Sequence, residues 1–276
     1  MVGEVVGSAA KQQGNDGGRN KLQINFQGTA LVFCDTHIPF HDQRVIREVE
    51  LFMGELQPDL LLYPGDLGDW YGISTFDKNP NRADCLQTDL SSVGAMLKRQ
   101  RALCPNARMI EEDGNHEDRL RRHLWGRDPA LASLDCLTVE GLYKLKESEV
   151  EHVSYKEGVL INGNFLVTHG DLVRAHSSYT AKGMSDKYGG SGIHGHTHRL
   201  GSYYRKNYFG VYGWWENGCL CDLNPDYVTN PNWQQGFSLV HFKGKRFWVE
   251  QLQIISRKFI YAGKVWGSGG KKREVK

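Results

Sequence analysis

Five short segments of the chain combine metal-holding side chains with the residues that end strands. They are Asp35-Thr36-His37, Gly65-Asp66-Leu67-Gly68-Asp69, Gly114-Asn115-His116-Glu117, Thr168-His169-Gly170 and Gly195-His196-Thr197-His198. Their donors are carboxylate, amide and imidazole, with no thiolate among them. Such a set suits hard or borderline divalent ions such as Mn2+, Fe2+ or Zn2+. Each segment alone has an ordinary explanation, since a Gly-Asp pair at a strand end often caps a helix. Their joint occurrence in this order is hard to produce by accident. The chain holds eleven histidines, dispersed rather than gathered in a tract.

Ligands in open α/β sheets collect beyond the carboxyl ends of strands, so these segments should open on one cleft. Residues i and i+2 of an extended segment share a face, which would aim Asp35 with His37, and His196 with His198, at one point. The elements that must position them follow from the pattern. TALVFCD reads as a buried strand ending at Asp35. DQRVIREVELFMGELQP places Val45, Val49, Phe52, Met53 and Leu56 on one helical face and closes at Pro58. DLLLYPGD is a second buried strand, a long amphipathic stretch runs from about Arg82 to Leu103, and ARMIEEDGN is a third strand. Strand, helix, strand, helix, strand is the order of an α/β layer with a largely parallel sheet. Short helices follow between Glu117 and Leu145. The second half is richer in strands and aromatics, including Trp214, Trp215, Trp233 and Trp248. With no internal repeat and no Pro/Ser linker, one domain with two sheets is expected over residues 22–266. A flexible tail over 1–21 would precede it and a flexible basic tail over 267–276 would follow.

The 276 residues carry 34 Lys and Arg against 32 Asp and Glu, a net charge of +2. That balance excludes a globally basic nucleic-acid binder and a polyacidic partner protein, though not a local basic patch. An apolar fraction of 39% is that of an ordinary globular chain. No apolar run approaches the roughly 18–20 residues that span a bilayer, so no membrane partner is expected. Six cysteines without Cys-x-x-Cys spacing, and no secretory leader, point to reduced thiols in a cytoplasmic protein. Cys219 and Cys221 read as buried small hydrophobes in preference to a disulfide or a zinc pair. His41, His152, His176, His194 and His241 have no partner spacing and read as ordinary surface or core residues.

The blocks D-x-H, GDxxD, GNHE, H and GHxH, spread over residues 35 to 198, resemble the calcineurin-like metallophosphoesterase superfamily. The resemblance implies a four-layer αββα sandwich of two mixed β-sheets with a dinuclear metal site at strand C-terminal ends. It implies that Asp35, His37 and His198 hold one divalent ion, that Asn115, His169 and His196 hold another, and that Asp66 bridges both. His116 would be the acid beside the scissile phosphate and Asp69 its orienting carboxylate. Mn2+ is the expected metal, with Fe, Zn, Ni and Co as alternatives. Two ions about 3.5–4 Å apart can share a hydroxide and clamp the attacking and leaving oxygens, so in-line attack by a metal-bridging hydroxide is the implied reaction. The fourth block reads THGD where many relatives have GH. Non-catalytic scaffolds of the superfamily have lost catalytic positions that are all filled here, which speaks against an interaction module.

The substrate is written less clearly. Serine/threonine phosphatases of the superfamily extend the second block to GDxVDRG, and this chain has GDLGDWYG, with Trp70 where the arginine would stand. Trp70 and Tyr71 could stack a base or ribose at the cleft rim, or cap the core. GNHEDRLRRHLWGR sets Arg119, Arg121, Arg122, His123 and Arg127 on a helix, either as a solvated face or as a basic rim for a polyanion, which Arg174 could join. The expected substrate is a phosphodiester of DNA, RNA or a nucleotide. The alternative is a phosphomonoester on a phosphoprotein or small metabolite. The aromatic C-terminal strands either close the second sheet, the favoured reading, or form a lip over the cleft.

Overall fold

The computed structural model describes residues 21–79, 85–225, 230–267 and 273–274. The tails expected from composition lie outside the described residues, apart from Lys21, Gly267 and the pair Arg273–Glu274. The chain begins with β1 (Leu22–Ile24) and β2 (Gly28–Val32), followed by α1 (Gln43–Leu56) and β3 (Leu60–Pro64). Asp42 caps α1 by accepting from the Arg44 and Val45 amides, and Val45, Val49, Phe52 and Met53 form its buried face. Next come α2 (Leu86–Leu103), β4 (Arg108–Glu112), α3 (Asp118–Arg127), α4 (Val139–Leu142) and β5 (Val150–Val153). The second half holds β6 (Val159–Ile161), β7 (Phe165–Thr168), α5 (Tyr179–Tyr188), β8 (Ser191–His194), β9 (Leu200–Asn207) and β10 (Gly210–Asn217). The chain returns through β11 (Gly236–Lys243) and β12 (Arg246–Gln253), then β13 (Phe259–Tyr261), β14 (Lys264–Trp266) and β15 (Arg273–Glu274).

Two mixed six-stranded sheets result, in the orders β12-β11-β2-β3-β4-β5 and β1-β6-β7-β8-β10-β9. Neighbours from β2 to β5 are parallel, as are β7 with β8 and β8 with β10. Strand alternation divides the side chains between layers. Val32, Leu62 and Ile110 meet Val167, Ile193 and Trp215 between the sheets. On the opposite face of the first sheet, Leu31, Leu61 and Met109 pack beneath α1 and α2. On the outer face of the second, Leu166 and Trp214 pack against Ala181 and Met184 of α5. The layers are therefore helix, sheet, sheet, helix, as the resemblance implied. Being covered on both faces, β3 is buried along its whole length, which is why it reads as an unbroken apolar run. The C-terminal aromatics divide between roles: β10, with Trp214 and Trp215, lies in the second sheet as expected, β11 and β12 join the first sheet instead, and Trp233 lies in a loop at the cleft.

Candidate metal centre

The segments beyond β2, β3 and β4, three adjacent parallel strands, carry Asp35 to His37, Asp66 to Asp69, and Asn115 to His116. Those beyond β7 and β8, adjacent and parallel in the other sheet, carry His169 and His196 to His198. The site thus sits where the carboxyl edges of both sheets meet. The first two loops continue to pair past their strands, with Asp35 N–H donating to Gly65 O at 3.1 Å and His37 N–H to Asp66 O at 3.0 Å.

The extended geometry expected for Asp-x-His and His-x-His is not what aims these residues. Asp35, His37, Asp66, His196 and His198 all have φ between +48° and +69°, in the left-handed region. Side chains other than glycine take that conformation at a cost of about 1–3 kcal/mol each, and it persists where surrounding contacts impose it. The chain therefore turns at each of these five residues instead of running straight through. The neighbouring glycines answer close approach: a Cβ on Gly114 would fall against Asp66 Oδ1, and one on Gly195 against Asp35 Oδ2.

Two groups of donors result. Asp35, His37 and His198 converge on one point, and Asp66, His169 and His196 on another. Asn115 Oδ1 lies 3.0 Å from His169 Nε2 and joins the second group. Between them, Asp66 uses Oδ1 to accept from the His116 amide at 2.9 Å, leaving Oδ2 exposed to imidazoles from both sides. That oxygen is 3.6 Å from His37 Nε2 and 3.4 Å from His169 Nε2, a bridging position. Asp35 is likewise held from behind by the His196 amide at 3.0 Å.

The ring nitrogens provide the test of whether cations fit. His169 Nδ1 must carry a proton, because it donates to Pro64 O at 2.9 Å, so its Nε2 lone pair faces Asp66 and Asn115. His37 turns Nδ1 to Asp69 Oδ2 at 3.3 Å and His198 turns Nδ1 to Cys221 Sγ at 3.9 Å. Their two Nε2 atoms then face each other at 2.9 Å, with Asp35 Oδ1 3.3 Å from that of His198. Lone pairs converging this way need a positive charge among them. Without a metal, protons supply it. Burial would lower His198, but Cys221 and Asp35 raise it to about 9. Burial likewise opposes His37, which Asp35 and Asp69 hold well above the usual range. For Asp66 burial pushes upward and the charges of His169, His116 and His37 win, taking it to about 2. Nitrogen and oxygen donors arranged around shared carboxylates are what a divalent ion takes up in place of those protons.

His116 stands beside this group. Its Nδ1 donates to the Asp69 carbonyl at 2.7 Å, with the Asp69 carboxylate 3.4 Å away. The main chain, more than the carboxylate, fixes this tautomer, and the Asp69 carboxylate also serves His37. Arg119 donates to His116 Nε2 at 3.0 Å and to the Asp69 carbonyl at 2.6 Å. A guanidinium only donates, so His116 is neutral in this arrangement, and its burial lowers its pKa in the same sense.

Two of the expected substrate contacts do not reach the cleft. Trp70 is buried, with its indole N–H donating to Tyr143 Oη at 2.6 Å, so it belongs to the core. Arg174 is not among the residues lining the cleft, and its main-chain N–H donates to Thr180 Oγ1 at 3.1 Å. Tyr71 and Arg119 do line the cleft, whose volume is about 730 Å³, together with Phe76, Lys78 and Trp233. The basic helix face is mostly spoken for, because Arg121 and Arg122 both pair with Asp118.

Three contributors were not legible. Glu117 is fully buried and accepts from the Asp66, Gly68 and Gly114 amides and from Tyr143 Oη, all at 2.8–3.0 Å. The motif contained it, but nothing local distinguishes such a hub from a helix start. Cys221, read as a small hydrophobe, faces His198; the Cys219 hydrogen bond, then the His198 charge against burial, holds its thiol well below the usual range. Trp233 meets His198 edge-on at 4.3 Å between ring centroids.

No family's sequence profile matches the chain. It is 29% identical over 255 residues to the Gene 54 protein of Mycobacterium phage D29, covering 86% of this chain and 97% of that one. The Gene 54 protein of Mycobacterium phage L5 is 28% identical over 257 residues with the same coverage. Among solved structures, wild-type Vps29 of Entamoeba histolytica complexed with Zn2+ aligns over 90% of this chain and 98% of its own, at 16% identity and a TM-score of 0.43. Among the described residues, no helix is long and apolar enough to cross a membrane.

Proposed function

We propose that the chain is a metal-dependent phosphoesterase of the calcineurin-like superfamily, acting on phosphodiesters of nucleic acids or nucleotides. The observation that carries this reading is the convergence of the Asp35–His37–His198 and Asp66–His169–His196 groups on the two sides of one carboxylate, with His116 adjoining. Asp35, His37 and His198 would hold one ion, Asn115, His169 and His196 a second, and Asp66 both. Bound divalent ions supply positive charge for a phosphate and acidify water in the cleft.

The chain's own residues do the rest. Asp69 fixes His116 with Nδ1 protonated and Nε2 turned to the cleft, 3.9 Å from Asp66 Oδ2. Arg119 blocks that nitrogen with its guanidinium, and an anionic substrate competing for Arg119 would free Nε2 to carry the proton a leaving alkoxide needs. Tyr71, Phe76 and Trp233 offer flat apolar walls beside Arg119 and Lys78, a combination suited to a base next to a phosphate. The test is turnover of bis-p-nitrophenyl phosphate against p-nitrophenyl phosphate with Mn2+, then with chelator. Faster diester cleavage that chelation abolishes supports the reading. Faster monoester cleavage replaces it with a phosphatase, and silence on both with Mn2+ bound overturns the enzyme.

A further inference from the structure

A second set of ligand-type side chains lies at the other edge of β4. Glu111 shares the helix-covered face of that strand with Met109, while Glu112 points between the sheets. β5 pairs in parallel with Glu111 directly opposite His152, and Asp113 is the next residue on the same face. The ladder extends one step further through Asp113 N–H donating to Val153 O at 2.9 Å. Register alone therefore brings the three together. His152 Nε2 is 3.0 Å from Asp113 Oδ1 and 3.9 Å from Glu111 Oε2, and one ligand atom from each lies within 4.8 Å of the others.

Glu111 is 0% exposed, and neither of its oxygens has a hydrogen-bond partner among the described residues. A buried carboxylate with no donor costs on the order of several kcal/mol unless a positive charge meets it or a proton neutralises it, and burial, then the Asp113 and Glu117 charges, raise Glu111 well above the usual carboxylate range. The His152 imidazole faces it but lies closer to Asp113, at 3.0 Å against 3.9 Å. The cluster is not sealed: the side chains of His152 and Asp113 are 23% and 12% exposed. Both line a cleft of about 740 Å³ that also includes Ser154 and Tyr155. We propose that Glu111, Asp113 and His152 form a divalent-cation site of their own, separate from the central cleft, with water completing the coordination. Two carboxylates and one imidazole suit Mn2+, Fe2+ or Zn2+ and disfavour thiophilic ions. An ion there would clamp β5 to the turn that leads into Asn115.

The test counts Mn2+ bound per full-length chain, from the free-ion electron paramagnetic resonance signal, with folding checked by circular dichroism. Mn2+ is the probe because it has little affinity for the Cys219–Cys221 pair. His152→Ala and, as a more conservative change, Glu111→Gln should each lose one equivalent, while the double variant Asp35→Asn/Asp66→Asn should keep one. The proposal is overturned if His152→Ala and Glu111→Gln bind as much Mn2+ as the unsubstituted chain, or if the double variant binds none. Failure of the phosphoesterase reading would appear separately, as absent diester turnover in the unsubstituted chain with this count unchanged.

Discussion

The central cleft and the β4–β5 edge use the same side chains and build their geometry by different means. In the cleft, Asp35, His37, Asp66, His196 and His198 stand on loops in left-handed conformations, and backbone amides or sulfur hold Asp35, Asp66 and His198 from behind. At the edge, Glu111 and His152 stand on regular strands and meet because the parallel register places them opposite. In the cleft, Asp35, His37, Asp66, His169 and His198 each have a hydrogen-bond partner that orients the side chain. The edge has an acid with no hydrogen-bond donor among the described residues. Loops can be turned to aim side chains closely but must be held in place, whereas register aims them coarsely and needs no support.

The comparison breaks most visibly at His116. His116→Ala should lower diester turnover by roughly 10²–10⁴-fold while bound Mn2+ stays unchanged, as measured by steady-state kinetics and ion counting. The loss should shrink for a p-nitrophenolate leaving group, which needs less protonation. A variant as active as the parent toward an alkoxide leaving group would remove the acid from the cleft.

Support of the loops is tested next. Glu117→Ala leaves the Asp66, Gly68 and Gly114 amides without their shared acceptor. At about 1–3 kcal/mol for each buried group left unsatisfied, the urea midpoint should fall by the equivalent of several kcal/mol, even without metal. A change below about 1 kcal/mol would mean that the loops hold their shape unaided.

Acid–base behaviour gives a finer distinction. Burial pushes Glu112 up to about 8 against the pull of the His169 charge. Its folded-state pKa lies above the unfolded value of about 4.3, so its contribution to stability is complete below that pH and is lost as pH rises toward 8. Metal-free protein should therefore lose stability between pH 5 and 8. Glu112→Gln, which keeps an acceptor for Thr168 or His169, should flatten that slope in denaturant titrations. An unchanged slope would place the effect in other groups. The smallest effect belongs to the surface of the edge. Arg108 pairs with Glu151 at 2.6 Å with both side chains well exposed, and Arg108→Ala should cost only about 0.2–1 kcal/mol by thermal melting. A larger loss would mean that the β4–β5 register leans on that pair.

What the amino-acid order disclosed follows the same division. Asp35, Asp66, Asn115, His169 and His198 were legible as candidate ligands because each lies in a short block whose chemistry and spacing are distinctive. The layers were legible because alternation in β2, β3 and β4 and the apolar stripe of α1 are local patterns. The backbone at the ligands was not, since nothing in Asp-Thr-His separates an extended segment from a left-handed turn until Gly65 and Leu67 are seen to grip it. Trp70 misled because an aromatic after a motif looks the same in sequence whether it faces solvent or Tyr143. His152 stayed hidden for the reason that Glu111 did: their meeting depends on strand register, which neither segment encodes alone.

Glu117 also sets how the cleft can breathe. One carboxylate holds amides from the loop after β3 and from the loop after β4, so neither loop can lift without releasing it. The hydrogens on the Asp66, Gly68 and Gly114 nitrogens should accordingly exchange with solvent deuterium at one common rate, as a single gate, while the amide of Tyr71 beyond the hub exchanges independently.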